Sequence, residues 1–244
     1  MQEHNLAGRA AVIGILSVGL VACGEQSGSA NAASSDAPAS AETVDAANPK
    51  SSDMVLGDDD APITIVEYAS VTCPGCAMFH ERFLPVIKEE YIDTGKAKLV
   101  FREFPTPPAQ LSVIGSVLAR CAAEKSGEQG YFAMLSSLFS KQRDWVPNET
   151  DHRGELLKIT QQAGIDESGF EECLKRQDLV DLIYENVKEA EEVFQVSGTP
   201  TFILNGERVS LRNIDAWKEA LDAAAGEAPL DDAADDQSST EKAG

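Results

Sequence analysis

The run Ile63-Thr64-Ile65-Val66-Glu67-Tyr68-Ala69, followed after a three-residue turn by Cys73-Pro74-Gly75-Cys76, constrains this chain more than any other feature. A stretch so rich in β-branched and apolar residues reads as a strand buried on both faces, which belongs in the middle of a sheet covered by helices. Beyond it Cys76, Phe79, Phe83, Ile87 and Tyr91 recur at helical spacing, and Pro85 inside the pattern predicts a kink. The two cysteines therefore sit where a buried strand hands over to a helix N-terminus. Unpaired N–H groups and the helix dipole stabilise an anionic sulfur there, so Cys73 is the expected reactive thiol and Cys76, one turn inside, its more buried partner.

The rest of the chain extends this pattern. Lys98 to Phe104 reads as a second strand, closed by the proline-rich segment at 105–108. From about 109 to 195 the signal is helical, with one stripe at Leu111, Ile114, Val117, Leu118 and Cys121 and another at Leu179, Ile183, Val187, Ala190 and Phe194. Shorter helices fit at about 131–141, 152–163 and 167–175. Gly198-Thr199-Pro200 then precedes a strand at 201–204, Asn205-Gly206 supplies a hairpin turn into Arg208-Val209-Ser210, and a last amphipathic helix runs from about Ile214 to Ala225. The whole is α/β: a strand-helix-strand half and a strand-strand-helix half, separated by a helical insertion.

With 41 acids against 20 bases and a net charge of -21, the chain repels phosphate backbones and anionic lipid headgroups, so nucleic-acid binding is not expected. Membrane contact would have to be covalent or specific. The apolar stretch Ala10 to Ala22 follows Arg9 and has the length of a secretory h-region, shorter than a membrane span. Residues 24–52 hold eight Ala and seven Ser with no aromatic, too little apolar surface to offset ordering entropy, and read as a flexible tether. Residues 226–244, with six acids and one lysine, read as a disordered acidic tail. The intervening 53–225 still carries 30 acids against 17 bases.

A lone CxxC can also be half of a zinc site. Cys73, Cys76 and His80 could share a helix face, but Cys121 and Cys173 have no histidine beside them and a fourth ligand is missing, so no metal is expected. His80 then reads as an ordinary helix-face residue. Cys121 lies on an apolar stripe and Cys173 between Phe170 and Leu174, so both point inward, either as two inert thiols or as a structural disulfide in an oxidising compartment.

The run VEYASVTCPGCAMFHERFLPVIKEEYIDTG, the helical insertion and VSGTPTFILNGE together resemble the DsbA-like branch of the thioredoxin superfamily over about residues 54–225. Leu20-Val21-Ala22-Cys23-Gly24 resembles the lipobox of bacterial lipoproteins. The first resemblance implies a thioredoxin fold with a helical insertion between its halves, and a thiol:disulfide oxidoreductase that needs no organic cofactor. It assigns Pro200 as a cis-proline facing the CxxC, with Thr199, Pro74 and Gly75 contacting substrate and Glu67 as a buried acid that takes the proton of Cys76. It also implies that Cys121 and Cys173 are bridged, as in some relatives. The second resemblance implies a leader at 1–22, lipid attachment at Cys23 and a cell-envelope location, with Gly24 favouring the outer membrane; an ordinary signal cut after Ala30-Asn31-Ala32 would give a soluble periplasmic protein. Partners are protein substrates with thiols or disulfides and an unidentified redox partner that resets the pair. No dimerisation segment is recognisable, which implies a monomer. Strongly oxidising relatives carry a histidine between the cysteines; Pro74-Gly75 offers no such donor, so a potential between the extremes of about -270 and about -120 mV is expected. The rival reading is a thiol-based metal-delivery protein.

Overall fold

Residues 49–227 are described by a computed structural model, in which one mixed five-stranded sheet has the order β1-β3-β2-β4-β5. The strands are β1 (Met54–Leu56), β2 (Ile63–Ala69), β3 (Ala97–Glu103), β4 (Thr201–Leu204) and β5 (Glu207–Val209). The proposed leader, Cys23, most of the tether and nearly all of the acidic tail lie outside the described residues. As its uninterrupted apolar run predicts, β2 is central and buried at every position, parallel to β3 and antiparallel to β4. The short β1 was not predicted: three residues carry no readable period, and it is placed by pairing antiparallel to β3, Val55 opposite Val100.

Strand alternation divides the side chains between two cores. Ile63, Ile65, Ala69, Leu99 and Phe101 join the larger core on one face, whereas Val66, Tyr68, Val100 and Ile203 join the smaller one on the other. Glu67 shares the parity of Ile65 and Ala69, so the pleat itself turns its carboxyl toward the face that carries the cysteines.

After β2 the chain forms α1 (Pro74–Met78), a π-helical turn at Phe79–Phe83, α2 (Leu84–Ile87) and a second π-helical turn at Lys88–Ile92. This differs from the single kink predicted at Pro85. Steps of four residues along an α-helix drift by about 40° each, so Phe79, Phe83, Ile87 and Tyr91 would spiral off one face. Each π turn absorbs an extra residue and realigns them; the N–H of Leu84 reaches back to the Phe79 carbonyl. The backbone thus resolves a conflict between Pro85, which has no N–H, and a stripe that must face the core.

The insertion consists of α3 (Ala109–Ser140), α4 (Gln142–Trp145), α5 (His152–Gln162), α6 (Glu167–Cys173) and α7 (Gln177–Glu192). Its first element is broken at Ser126 and Gly127, where Gly127 adopts φ 64° and ψ -160°, a region closed to L side chains, so the predicted pair of helices survives as two halves of α3. After the β4-β5 hairpin, α8 (Ile214–Glu227) lays Trp217 and Leu221 into the larger core.

Residues just ahead of Asp53 already contact the insertion. Lys50 pairs with Glu189, and the Ser52 carbonyl accepts from Arg120 at 3.1 Å. Asp53 accepts a forked pair of bonds from Arg102, which also donates to the Tyr68 hydroxyl. A second buried ionic group, Glu103, has both oxygens satisfied by Arg120, Tyr131 and Asn186. Arg102 and Glu103 on β3 are therefore interior, each neutralised by a partner distant in sequence.

Candidate active site

Cys73 caps the helix that follows it. Its backbone is extended (φ -80°, ψ 121°), Pro74 occupies the first turn, and the N–H of Cys76 donates to the Cys73 Sγ at 3.3 Å. Cys73 is 8% exposed and Cys76 is fully buried. Both thiols are free, so the site is in its reduced form.

Across from it, the Thr199–Pro200 peptide bond is cis. The protonated Cys73 thiol points at the Thr199 carbonyl oxygen, 3.4 Å away. Gly75 lies against the same proline: a Cβ there would sit 3.1 Å from Pro200 Cδ and 3.7 Å from Cys73 Sγ, so glycine permits the close approach of the two loops. A cavity of about 330 Å³ opens beside them, lined by Gly75, Phe79, Pro200, Phe202 and Leu211.

The two thiols differ sharply in acidity. The hydrogen bond from the Cys76 thiol, against the opposing effect of burial and with help from Thr199 and the N–H groups of Cys76 and Gly75, pushes Cys73 down to about 6. Thr199 acts both ways, since its carbonyl favours the protonated thiol; the donors aimed at the sulfur outnumber it. Cys76 is pushed well up by burial first, then by its bond to Cys73 and the charge of Glu67. A nucleophile poised near neutrality is thus paired with a thiol that stays protonated until a base removes its proton.

Glu67 is completely buried, and its Oε2 is 2.8 Å from Nε2 of His80. Its Oε1 has no hydrogen-bond partner. His80 therefore corrects the reading as an ordinary helix-face residue: its ring stacks on Phe139 at 4.2 Å and turns its nitrogen inward to the carboxyl. Among the described residues no three His, Cys, Asp or Glu side chains converge as metal ligands. Sequence reasoning also missed Gln142 of α4, whose amide donates to the carbonyls of Val71 and Cys73 and clamps the loop ahead of the thiols. Only the one-turn spacing from Cys76 hinted at His80; nothing local marked Gln142.

Away from this site, Cys121 of α3 and Cys173 of α6 are joined by a disulfide with a Cα–Cα separation of 6.2 Å.

A central strand leading into a CxxC helix cap, met by a proline loop on the next strand, defines a thioredoxin-fold protein with a reactive dithiol. The sequence pattern of the thioredoxin family matches residues 50–223, and the chain belongs to that family, with the helical insertion of its DsbA-like branch. It is 33% identical over 172 residues to a protein assigned as a protein-disulfide oxidoreductase in Rickettsia bellii, covering 70% of this chain and 64% of the other. It is 28% identical over 178 residues to disulfide bond formation protein D of Bacillus cereus, covering 70% of this chain and 78% of the other. The chain thus spans less than two thirds of the length of its rickettsial relative. Among solved structures it is similar to α-DsbA1 of Wolbachia pipientis, with a TM-score of 0.66 at 26% identity over 73% of this chain and 94% of that one. The fold of oxidised BdbD from Bacillus subtilis is also alike, with a TM-score of 0.62 at 22% identity over 71% of this chain and 93% of that one.

Proposed function

We propose that this protein is a cell-envelope thiol:disulfide oxidoreductase that donates disulfides to other proteins through Cys73 and Cys76. The observation that carries the reading is the split between the two thiols, with Cys73 at about 6 and Cys76 pushed well up. A stabilised Cys73 thiolate lowers the energy of the reduced pair, which makes the disulfide form an oxidant and Cys73 a good leaving group from a mixed disulfide. In the donating direction a substrate thiolate attacks Cys73 Sγ, the Cys73–Cys76 bond breaks, and Cys76 leaves and takes up a proton. A second substrate thiolate then attacks the substrate sulfur of the mixed disulfide and expels the Cys73 thiolate; the substrate is oxidised by two electrons and the pair is reduced. In the reverse direction Cys76, deprotonated with Glu67 as base, attacks Cys73 and frees the bound thiolate.

The half-buried edge at Thr199-Pro200, with Pro74 and Gly75 opposite, would receive an extended substrate segment. Potential donors in the dipeptide are lacking, which supports a potential between about -270 and about -120 mV. A lipid on Cys23 would tether a monomeric domain in the envelope, an exchange partner would reoxidise the pair, and neither nucleic acid nor an organic cofactor takes part.

Oxidative refolding of a reduced, denatured test protein checks the reading. The wild-type protein should accelerate refolding, Cys73→Ser should abolish it, and Cys76→Ser should accumulate mixed disulfides on Cys73. Stoichiometric metal binding lost in Cys73→Ser, with no acceleration by the wild type, would replace the enzyme with a metal-delivery protein. Thiol trapping in cells decides direction: a mostly oxidised pair supports a donor, a mostly reduced one a reductase or isomerase.

A further inference from the structure

Behind the buried carboxyl lies a second opening. A cavity of about 560 Å³ runs between the π-helical turn at Phe79–Phe83 and the second half of α3, lined by His80, Leu84, Lys88, Gln129, Phe132 and Phe139 among others. It shares no lining residue with the cavity at Gly75 and Pro200. His80 reaches both environments. Its Nε2 holds Glu67 Oε2, while its Nδ1 has no hydrogen-bond partner among the described residues and the ring lines the cavity. Phe79, Phe101 and Phe139 surround the ring and fix its plane.

We propose that His80 is the proton exit of the active site, linking Glu67 to the cavity on the far side of the helix so that the Cys76 proton leaves without crossing the substrate-binding edge. This rests on the oxidoreductase reading. When Cys76 attacks Cys73 in a mixed disulfide, its S–H proton passes to Glu67, from Glu67 Oε2 to His80 Nε2, and from Nδ1 to water in the cavity. The S–S bond between Cys73 and Cys76 forms, the bond from Cys73 to the bound thiol breaks, and that thiolate leaves with the electron pair. The steps run backwards when Cys76 is the leaving group. His80 acts through Glu67 and is a positioning residue for its proton.

The groups facing the relay are few. Cys73 and Cys76 approach from α1, and Tyr131 of α3 feels the Glu67 charge while its hydroxyl donates to Glu103. Glu81 and Lys88 line the cavity. The neighbouring strands present Phe101 and Phe202 opposite Glu67, which carry no proton.

Reaction of the reduced protein with Ellman's reagent separates the steps. A first phase reports attack by Cys73, and a second, unimolecular phase reports resolution by Cys76. His80→Gln keeps an amide beside Glu67 but cannot relay a proton, so it should slow the second phase by about tenfold or more and remove its pH inflection, while the first phase keeps its rate. In His80→Ala the slowed second phase should recover in proportion to added imidazole. A wild-type second phase in His80→Gln at every pH, or a slow phase in His80→Ala indifferent to imidazole, overturns the relay. A wild-type protein with no second phase at all would instead sink the oxidoreductase reading.

Discussion

At the scale of single residues the site is a contest between burial and hydrogen bonding, and the two cysteines fall on opposite sides of it. Cys73 titrates at about 6 instead of its ordinary 9.0 because donors converge on its sulfur. In the reduced protein this lowered value contributes stability that is complete above about pH 9 and is lost as the pH falls through about 6. Cys76, pushed the other way, stays protonated in both folded and unfolded chains below about pH 9 and adds nothing to that slope. The disulfide form has neither thiol. The melting temperature of the reduced protein should therefore climb relative to that of the oxidised protein between about pH 6 and 9, read by parallel thermal melts, and iodoacetamide should label Cys73 with a midpoint near pH 6. A difference between the two forms that stays flat over this range would show that the donors do not hold a thiolate.

Much of this residue-level chemistry was legible because it is local. A CxxC at a strand-to-helix junction and an acid inside an apolar strand can be seen in a short window, and the pleat that aims Glu67 at the cysteine face follows from counting by twos. His80 and Gln142 could not be assigned their roles, since the atoms they bind lie 13 residues away for His80 and 69 to 71 for Gln142.

At the scale of elements, β3 shows the same limit more sharply. Lys98, Arg102 and Glu103 are all buried. Their partners sit on other elements: Asp53 is 49 residues from Arg102, and Arg120 and Asn186 are 17 and 83 residues from Glu103. Through Glu103 one carboxylate fastens β3 to both α3 and α7, so it joins the sheet to the insertion. Replacing Arg120 with Met leaves Tyr131 and Asn186 to hold a charge that has lost its counterion, and removal of one partner from a buried pair costs about 3–5 kcal/mol. Urea unfolding should show a loss of that size for Arg120→Met, with much of it recovered when Glu103→Leu is added. A loss under about 1 kcal/mol, the range of exposed ion pairs, would mean that the group is hydrated and does not lock the layers together.

At the scale of the whole molecule, charge and covalent links act over distances that no single element spans. The segment 53–225 alone carries 13 more acids than bases, so the surface around the reactive thiol belongs to an acidic body, with Arg212 as the charged residue lining the cavity beside it. Such self-repulsion opposes the compact state and makes any constraint on the unfolded chain more valuable. The Cys121–Cys173 disulfide supplies one, closing a loop of 52 residues across the insertion between α3 and α6. The pairing was an expectation from relatives, because inward-facing cysteines so far apart in sequence carry no local mark of being neighbours. By the chain-entropy relation a loop of this length is worth about 4 kcal/mol, close to half the stability of a marginal domain. The double variant Cys121→Ala/Cys173→Ala should melt about 8–16 °C below the wild type with Cys73 and Cys76 still able to exchange, since the bridge contributes no atom to the site. Using the double variant avoids a lone thiol that would trap substrates. An unchanged melting temperature would mean that the unfolded chain is already held compact across this region, and exchange lost at temperatures where the variant is folded would mean that the insertion transmits strain to the Gln142 clamp on the Cys73 loop.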